Sequence, residues 1–567
     1  MRMRSRLAVA VMAAALMVLP ATALGSSGQS TRDWTVLMYF GADNDLYQAT
    51  TFCVDQTLKA LNEAGADSAE VAVVLLIDGP SNGDTDVFEL TKDGKTELTS
   101  AAFGSGNVEK KMTDPQTMVE FLEYAIPAYP AEKTMLVLKN GHAWCGICPD
   151  ETEQTEEKVL MPIDGLRGAI ETVYADHLDF WIDALVFDGD NMGSVEVAYE
   201  LRTVTSYFVG SQQQVPLEGL PYYLFMKDLA AEPAMDEETA CITLTEDYVK
   251  YYNNTQGSKP KYDKLLANSQ MYVTAAVFQM GEGGEKVDAV VRAFDAYLDY
   301  LLEGELSVEI AAAAEEAGVD VAAKLDQWMY PDVATGEDVW AWIPLNRNNV
   351  SSARDCSLIG KMNDQQGYEW LPDVYTWLWS MSALSNYETY GDSVPPSEDV
   401  DLTDLPELDE LKDPFVRLLL EDFMEAFGYK EPGIYRGVWS SQHLTGEGAL
   451  VWVSQSQILD RSGNSFPHGL NIWFPPSWLQ WDEDDVWTLL FTKEMTYTYS
   501  GIGVWLGVDE QILMPAEYYC IDCPWSYEEI GLDFTKDTSW MDFFGVYYDS
   551  RWLIYGGDTG SRDENKP

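Results

Sequence analysis

The chain runs to 567 residues, 46% of them hydrophobic, enough for two or three domains with a sizeable core. Its 94 acidic and 35 basic residues leave a net charge of −59. So acidic a surface repels phosphate backbones, which excludes nucleic acid as a partner; it suits high salt or cation binding, and its plainest meaning is a solvated acidic face.

The chain opens with basic MRMRSR, an apolar run LAVAVMAAALMVLP and small residues ATALGSS, in which Ala21 and Ala23 fit an A-x-A cleavage site. Residues 1–23 therefore read as a secretory signal peptide, and the mature protein as secreted or held at the cell surface. The competing reading keeps the apolar run as an anchor. No later segment offers 18 uninterrupted apolar residues, so no membrane span is expected after signal cleavage. Export permits disulfides. The seven cysteines include two C-x-x-C pairs, Cys145 with Cys148 and Cys520 with Cys523. Both pairs read as structural, and disulfides and a zinc site stay open as alternatives.

TVLMYFGAD (35–43) is an apolar run ending in turn residues, and predicts a buried strand. A helical pattern follows and stops at Gly65. VAVVLLIDG (71–79) predicts a second strand, and FELTKDGKTEL (88–98) a hairpin about Asp93-Gly94. Over 114–126, Asp114 stands as N-cap and Pro115 at the first helical position. TMLVLKNGH (134–142), IDALVFDGD (182–190) and SYFVGSQ (206–212) predict three more strands, with a helix over 192–202. All-apolar strands alternating with helices mean a mainly parallel sheet covered on both faces. Ligands of such sheets sit beyond the carboxyl ends of the strands, here Gly141-His142 and Asp188–Asp190.

From about residue 285 the pattern turns helical, and 391–411 is rich in Pro and acid, as a linker would be. The expected organisation is an α/β domain over 30–390 and a smaller, aromatic-rich α+β region over 400–567.

Several blocks together resemble the clostripain family of cysteine peptidases. WTVLMYFGADNDL (34–46) is similar to its opening strand, LVLKNGHAW (136–144) to a strand ending in N-H-G, and IDALVFDGDNMGSVEVAYELR to F-D-A-C-L-M-G-S-V-E. VGSQQQVPLEGLPYYLF (209–225) resembles the family's S-Q-E segment, and GLNIWFPP and LDFTKDTSWMDFF its C-terminal blocks. The resemblance implies a caspase-like three-layer α/β sandwich. It implies a His at the end of the third strand activating a Cys at the end of the fourth. It also implies a substrate pocket at Asp188, Ser211 and Gln212 for a basic side chain, hence peptide or protein ligands with such side chains, and it allows bound Ca²⁺.

The departures decide the expected activity. Asp190 stands where the Cys belongs, and a carboxylate attacking an amide yields only a high-energy mixed anhydride. Without a gap, Gly141 takes the place of the His and His142 falls one residue late, which swings a side chain toward the other face. Asp188-Gly-Asp190-Asn191 also resembles the start of a calcium loop but fails at Met192 and Tyr199. Asp43-Asn44-Asp45 is a further acid cluster at a strand end. The expectation is a homologue that no longer cleaves peptides. The alternatives are an active Arg/Lys-specific peptidase using His142 with Cys145 or Cys148, and metal-assisted hydrolysis at Asp190.

Overall fold

The structure, a computed structural model, describes residues 32–44, 46–65, 69–142, 145–150, 160–252, 273–331, 338–340, 342, 345, 350, 353–354, 357, 371–386, 407–430, 443–455, 468–472, 474, 497–499, 504–506, 527 and 530–548. The expected signal segment, Cys520 and Cys523 lie outside the described residues.

Among these residues ten strands make one sheet. They are β1 (Arg32–Gly41), β2 (Val71–Asp78), β3 (Asp86–Thr91), β4 (Gly94–Glu97), β5 (Ala131–His142), β6 (Gly146–Ile147), β7 (Ala184–Asp190), β8 (Tyr207–Gly210), β9 (Thr274–Gln279) and β10 (Leu450–Gln455). The spatial order is β10-β9-β8-β7-β5-β1-β2-β3-β4, with β6 paired to the end of β5. The five strands predicted from apolar runs form its parallel centre, β8-β7-β5-β1-β2. The hairpin predicted at Asp93-Gly94 is the antiparallel β3–β4 pair, which adds to β2.

Why these strands read as unbroken apolar runs is plain from their two faces. Leu37, Tyr39, Val74, Leu76, Leu136, Leu138, Leu185 and Phe187 enter one core, and Val36, Met38, Phe40, Val73, Leu75, Val137 and Val186 the other. Each such side chain contributes roughly 1.5–3 kcal/mol by leaving water. The second face is covered by α1 (Tyr47–Ala64), with α5 (Tyr222–Ala231) and α6 (Glu237–Tyr252) beside it. The first is covered by α2 (Pro115–Ala128), α3 (Ile163–Asp176), α4 (Val195–Leu201), α7 (Glu285–Glu303), α8 (Val374–Ala383) and α9 (Pro414–Phe427). This is the expected three-layer α/β sandwich with a mainly parallel sheet.

Local signals hold where they were strongest. Asp114 caps α2 by accepting from the Gln116 amide at 2.9 Å, with Pro115 next in line. The long helical stretch from 285 breaks at Gly304, whose φ of 70° ends α7 in a left-handed residue.

The C-terminal region departs from its expectation. The described part of 400–567 is not a separate smaller domain, because residues from Arg32 onward form one unit. β10 pairs antiparallel with β9 at the sheet edge. Trp540, Phe543 and Phe544 lie in the same core as Phe294 and Trp377, with Trp540 stacked on Phe543 at 5.2 Å. Polar punctuation at 391–411 suggested a boundary, but the strand that completes the sheet comes after it.

Candidate functional site

The carboxyl ends of β1, β5 and β7 meet at one rim of the sheet. Among the described residues three non-glycines have positive φ, namely Asn140 (71°), Cys148 (52°) and Asn191 (56°), and all three sit at this rim. Left-handed non-glycine backbone costs energy and concentrates where geometry is functionally constrained.

β5 and β7 run in step from Met135↔Ala184 to Lys139↔Asp188. The pairing then shifts, and the next partners are His142↔Asp190. Three residues of β5 thus span two of β7, a bulge, with left-handed Asn140 inside it. The Asn140 side chain donates to the Gly41 carbonyl at 2.5 Å, tying the bulge to β1. The one-residue displacement of His142 is therefore absorbed by the backbone. Contrary to the ungapped expectation, His142, not Gly141, is the residue beside Asp190. Gly141 is held to glycine by crowding, since a Cβ there would lie 2.9 Å from Met192 Sδ.

Asp190 is half-buried, and its Oδ1 accepts from the Val215 amide at 2.8 Å. The turn after it is fastened on both sides. Asn191 and Gly193 donate to Gln213 and Ser211 carbonyls at 3.1 and 2.8 Å, and Val195 donates to the Asn471 carbonyl at 2.9 Å. Ser194 is the N-cap of α4, accepting from the Val197 amide at 3.3 Å.

Asp188 lies deeper and is wholly buried. Its Oδ2 accepts from Lys139 Nζ and from the Tyr222 hydroxyl, both at 2.7 Å, and its Oδ1 from the Leu220 amide at 3.0 Å. The side chains of Lys139 and Asp188 are 3% and 0% exposed, so the pair is shielded from screening. Burial pulls the Lys139 pKa down, but the Asp188 charge outweighs it and leaves the ammonium raised above its ordinary value. Gly219 passes over the pair with a φ of 71°, and a Cβ there would collide with both charged groups. The cation expected from a peptide is here the chain's own lysine.

The other expected contact residues are structural in their visible bonds. Ser211 Oγ lies 3.2 Å from Thr274 Oγ1. Gln212 donates to Asp373 Oδ2 at 2.9 Å and accepts from the Gly469 amide at 2.6 Å. Asp373 also caps α8 through the Thr376 amide at 2.8 Å and holds His468 Nδ1 at 3.0 Å. Burial raises the Asp373 pKa, but the opposed pull of His468 and the donors leaves it below its ordinary value.

Cys145 and Cys148 are both buried. Cys148 is a free thiol that donates to the Lys139 carbonyl at 3.4 Å, so it makes no disulfide with Cys145. Burial pushes its thiol up to about 12. A thiol that stays protonated at neutral pH is a poor nucleophile. Cys53, beneath Lys139 and Asp188, is likewise buried and pushed up to about 12.

Lys139, Tyr222 and Gly219 were missed from the sequence. The only trace in the sequence is a charge of each sign set into two apolar runs, and the register that brings Lys139 and Asp188 together is not written there.

Residues 38–332 match the model of the clostripain family, Peptidase C11. Clostripain of Hathewaya histolytica is 24% identical over 194 residues, 30% of this chain and 36% of that protein. The chain thus matches about a third of the length of that curated relative. Among solved structures, a secreted C11 cysteine protease from Bacteroides thetaiotaomicron with an irreversible peptide inhibitor aligns over 80% of this chain and 96% of its own, at 14% identity and a TM-score of 0.45. An inactive zymogen C11 protease from Parabacteroides distasonis aligns over 79% and 93%, at 14% identity and a TM-score of 0.43.

Proposed function

Because this chain belongs to the clostripain family, we propose that it is an exported member that binds at the family's strand rim without cleaving peptides. One observation carries the reading: the end of β7, where the resemblance puts a nucleophilic thiol, holds Asp190, whose carboxylate is engaged by the Val215 amide at 2.8 Å. The turn that follows contains no hydroxyl or thiol ahead of the Ser194 cap.

Two other readings lose support from named contacts. A relocated thiol at Cys145 or Cys148 is disfavoured by burial of both and by the protonated state of Cys148. A pocket for basic peptide side chains at Asp188 requires expelling Lys139 from a closed site. The ligand of this reading is a peptide engaged along the rim outside that pair.

Wild-type protein assayed with fluorogenic Arg, Lys and uncharged peptides, with and without Ca²⁺, should show no turnover. Loss of the nucleophile from a triad-type site costs about 10⁶ in kcat. Turnover abolished by Cys145→Ala or Cys148→Ala would establish the relocated thiol. Turnover abolished only by Asp190→Ala would establish the metal-assisted route.

A further inference from the structure

The turn that ends β7 and the segment that follows β8 lie side by side, joined by the amides of Asn191 and Gly193 donating to the carbonyls of Gln213 and Ser211. These two bonds, two residues apart and in opposite chain senses, make a short antiparallel pairing with Asn191 directly opposite Gln213. Residues so opposed are near enough for their side chains to share one contact. Both are carboxamides, where the resemblance has Leu and Glu at these positions. Asn191 is 1% exposed and Gln213 8%.

Each side chain leaves one polar atom unanswered. Asn191 Nδ2 and Gln213 Oε1 are buried with no hydrogen-bond partner among the described residues, so they do not bond each other either. A buried donor or acceptor without a partner is costly, and a ligand that answers it recovers that loss. Asn191 also holds its left-handed φ of 56° here, backbone strain of the kind that gathers at ligand sites. The neighbours Asp190, Gln214 and Val215 are half-buried, so the pair lies just beneath the surface of the rim.

We propose that Asn191 and Gln213 select an uncharged carboxamide, the side chain of an Asn or Gln in the peptide held at the rim; this rests on the reading that the rim binds peptides. A carboxamide carries an acceptor and donors on one flat group, so its oxygen takes Asn191 Nδ2 while its N–H reaches Gln213 Oε1. A carboxylate satisfies Asn191 but sets an oxygen against Gln213 Oε1, and the acidic surface repels it. An ammonium satisfies Gln213 but offers Asn191 nothing to donate to. The nearby buried carboxylate, Asp188, is already paired with Lys139 and leaves no demand for a ligand cation. Because the two atoms lie beneath the surface, a side chain reaches them and a main chain lying along the rim does not. A site built to hydrogen-bond its ligand in this way rejects analogues that lack the group.

The probe is a dye-labelled Ala-Ala-Gln-Ala-Ala peptide capped at both ends, with counterparts carrying Met, Glu or Lys at the centre. Binding is followed by fluorescence anisotropy in physiological salt, which screens the acidic surface. The Gln peptide should bind at least tenfold more tightly than the other three. Asn191→Asp keeps the shape and tolerates the left-handed φ but exchanges the donor for an acceptor; Gln213→Met keeps the length and loses the acceptor. Each should weaken the Gln peptide at least tenfold and leave the Met peptide unchanged, a split that a merely structural role does not produce. Should Asn191→Asp not fold, Asn191→Gly serves in its place with the same outcomes. Unchanged affinity for the Gln peptide in both variants, or Met, Glu or Lys peptides that bind wild type as tightly, would overturn the carboxamide and leave the rim a peptide site. No binding of any of the peptides up to about 1 mM would overturn the rim as a peptide site, and this inference with it.

Discussion

Replacing Lys139 by Met removes one charge from a closed space and leaves the shape nearly unchanged. Asp188 would keep the Tyr222 hydroxyl and the Leu220 amide as donors but lose the Lys139 ammonium that pairs with it. Breaking a buried pair from one side costs about 3–5 kcal/mol. That is a large part of a typical domain's stability. Lys139→Met/Asp188→Asn should recover most of the loss, because the amide oxygen still accepts from Leu220 and no charge remains. Guanidinium denaturation of the two single mutants and the double mutant gives the coupling directly. A loss under about 1 kcal/mol for Lys139→Met, the range of exposed pairs, would refute the claim that the pair is closed off from water.

Four further outcomes follow from the same structure. Cys148, its thiol at about 12, should be thiolate in only roughly 1 in 10⁵ molecules at neutral pH, so iodoacetamide should label it only after unfolding; fast labelling of the native protein contradicts its burial. Asp190→Cys should create a half-exposed thiol that alkylates at least tenfold faster than Cys148, and equal rates would show that the β7 end is sealed. Gly141→His, the substitution an ungapped alignment recommends, should cost about 1–3 kcal/mol by overpacking against Met192 and Ile147; an unchanged Tm would dispute the bulge. Asp183, which accepts from the Thr134 amide at 2.7 Å, is raised by burial from 3.8 to about 6. A raised carboxyl favours the folded state most below its unfolded pKa, and that contribution is lost as pH climbs from 3.8 through 6. Asp183→Asn should therefore match wild type near pH 4 and exceed it at pH 7 by about 1 kcal/mol, discounted for partial exposure; no gain at pH 7 refutes the assignment.

The parallel centre of the sheet was legible because strands buried on both faces leave no polar position to confuse the pattern. Asp114-Pro115 likewise announced its helix through local chemistry. Three things were hidden for physical reasons. The Lys139–Asp188 pair needs register between strands 49 residues apart, which periodicity does not carry. The bulge at Asn140 is a backbone event whose only trace is an Asn able to adopt a left-handed φ. The role of Leu450–Gln455 as an edge strand depends on which partner it finds, and the acid-rich stretch ahead of it imitates a boundary.

The bulge also bears on how such a rim changes chemistry without losing its scaffold. It begins after Lys139, so Leu136 and Leu138 keep their places in the core while the last residues of β5 shift past β7. The extra residue is taken up where the pairing of β5 with β7 is already irregular, beyond the last core side chains of the strand. The packed layer and the register of the residues at its mouth are thus set by different stretches of the same strand.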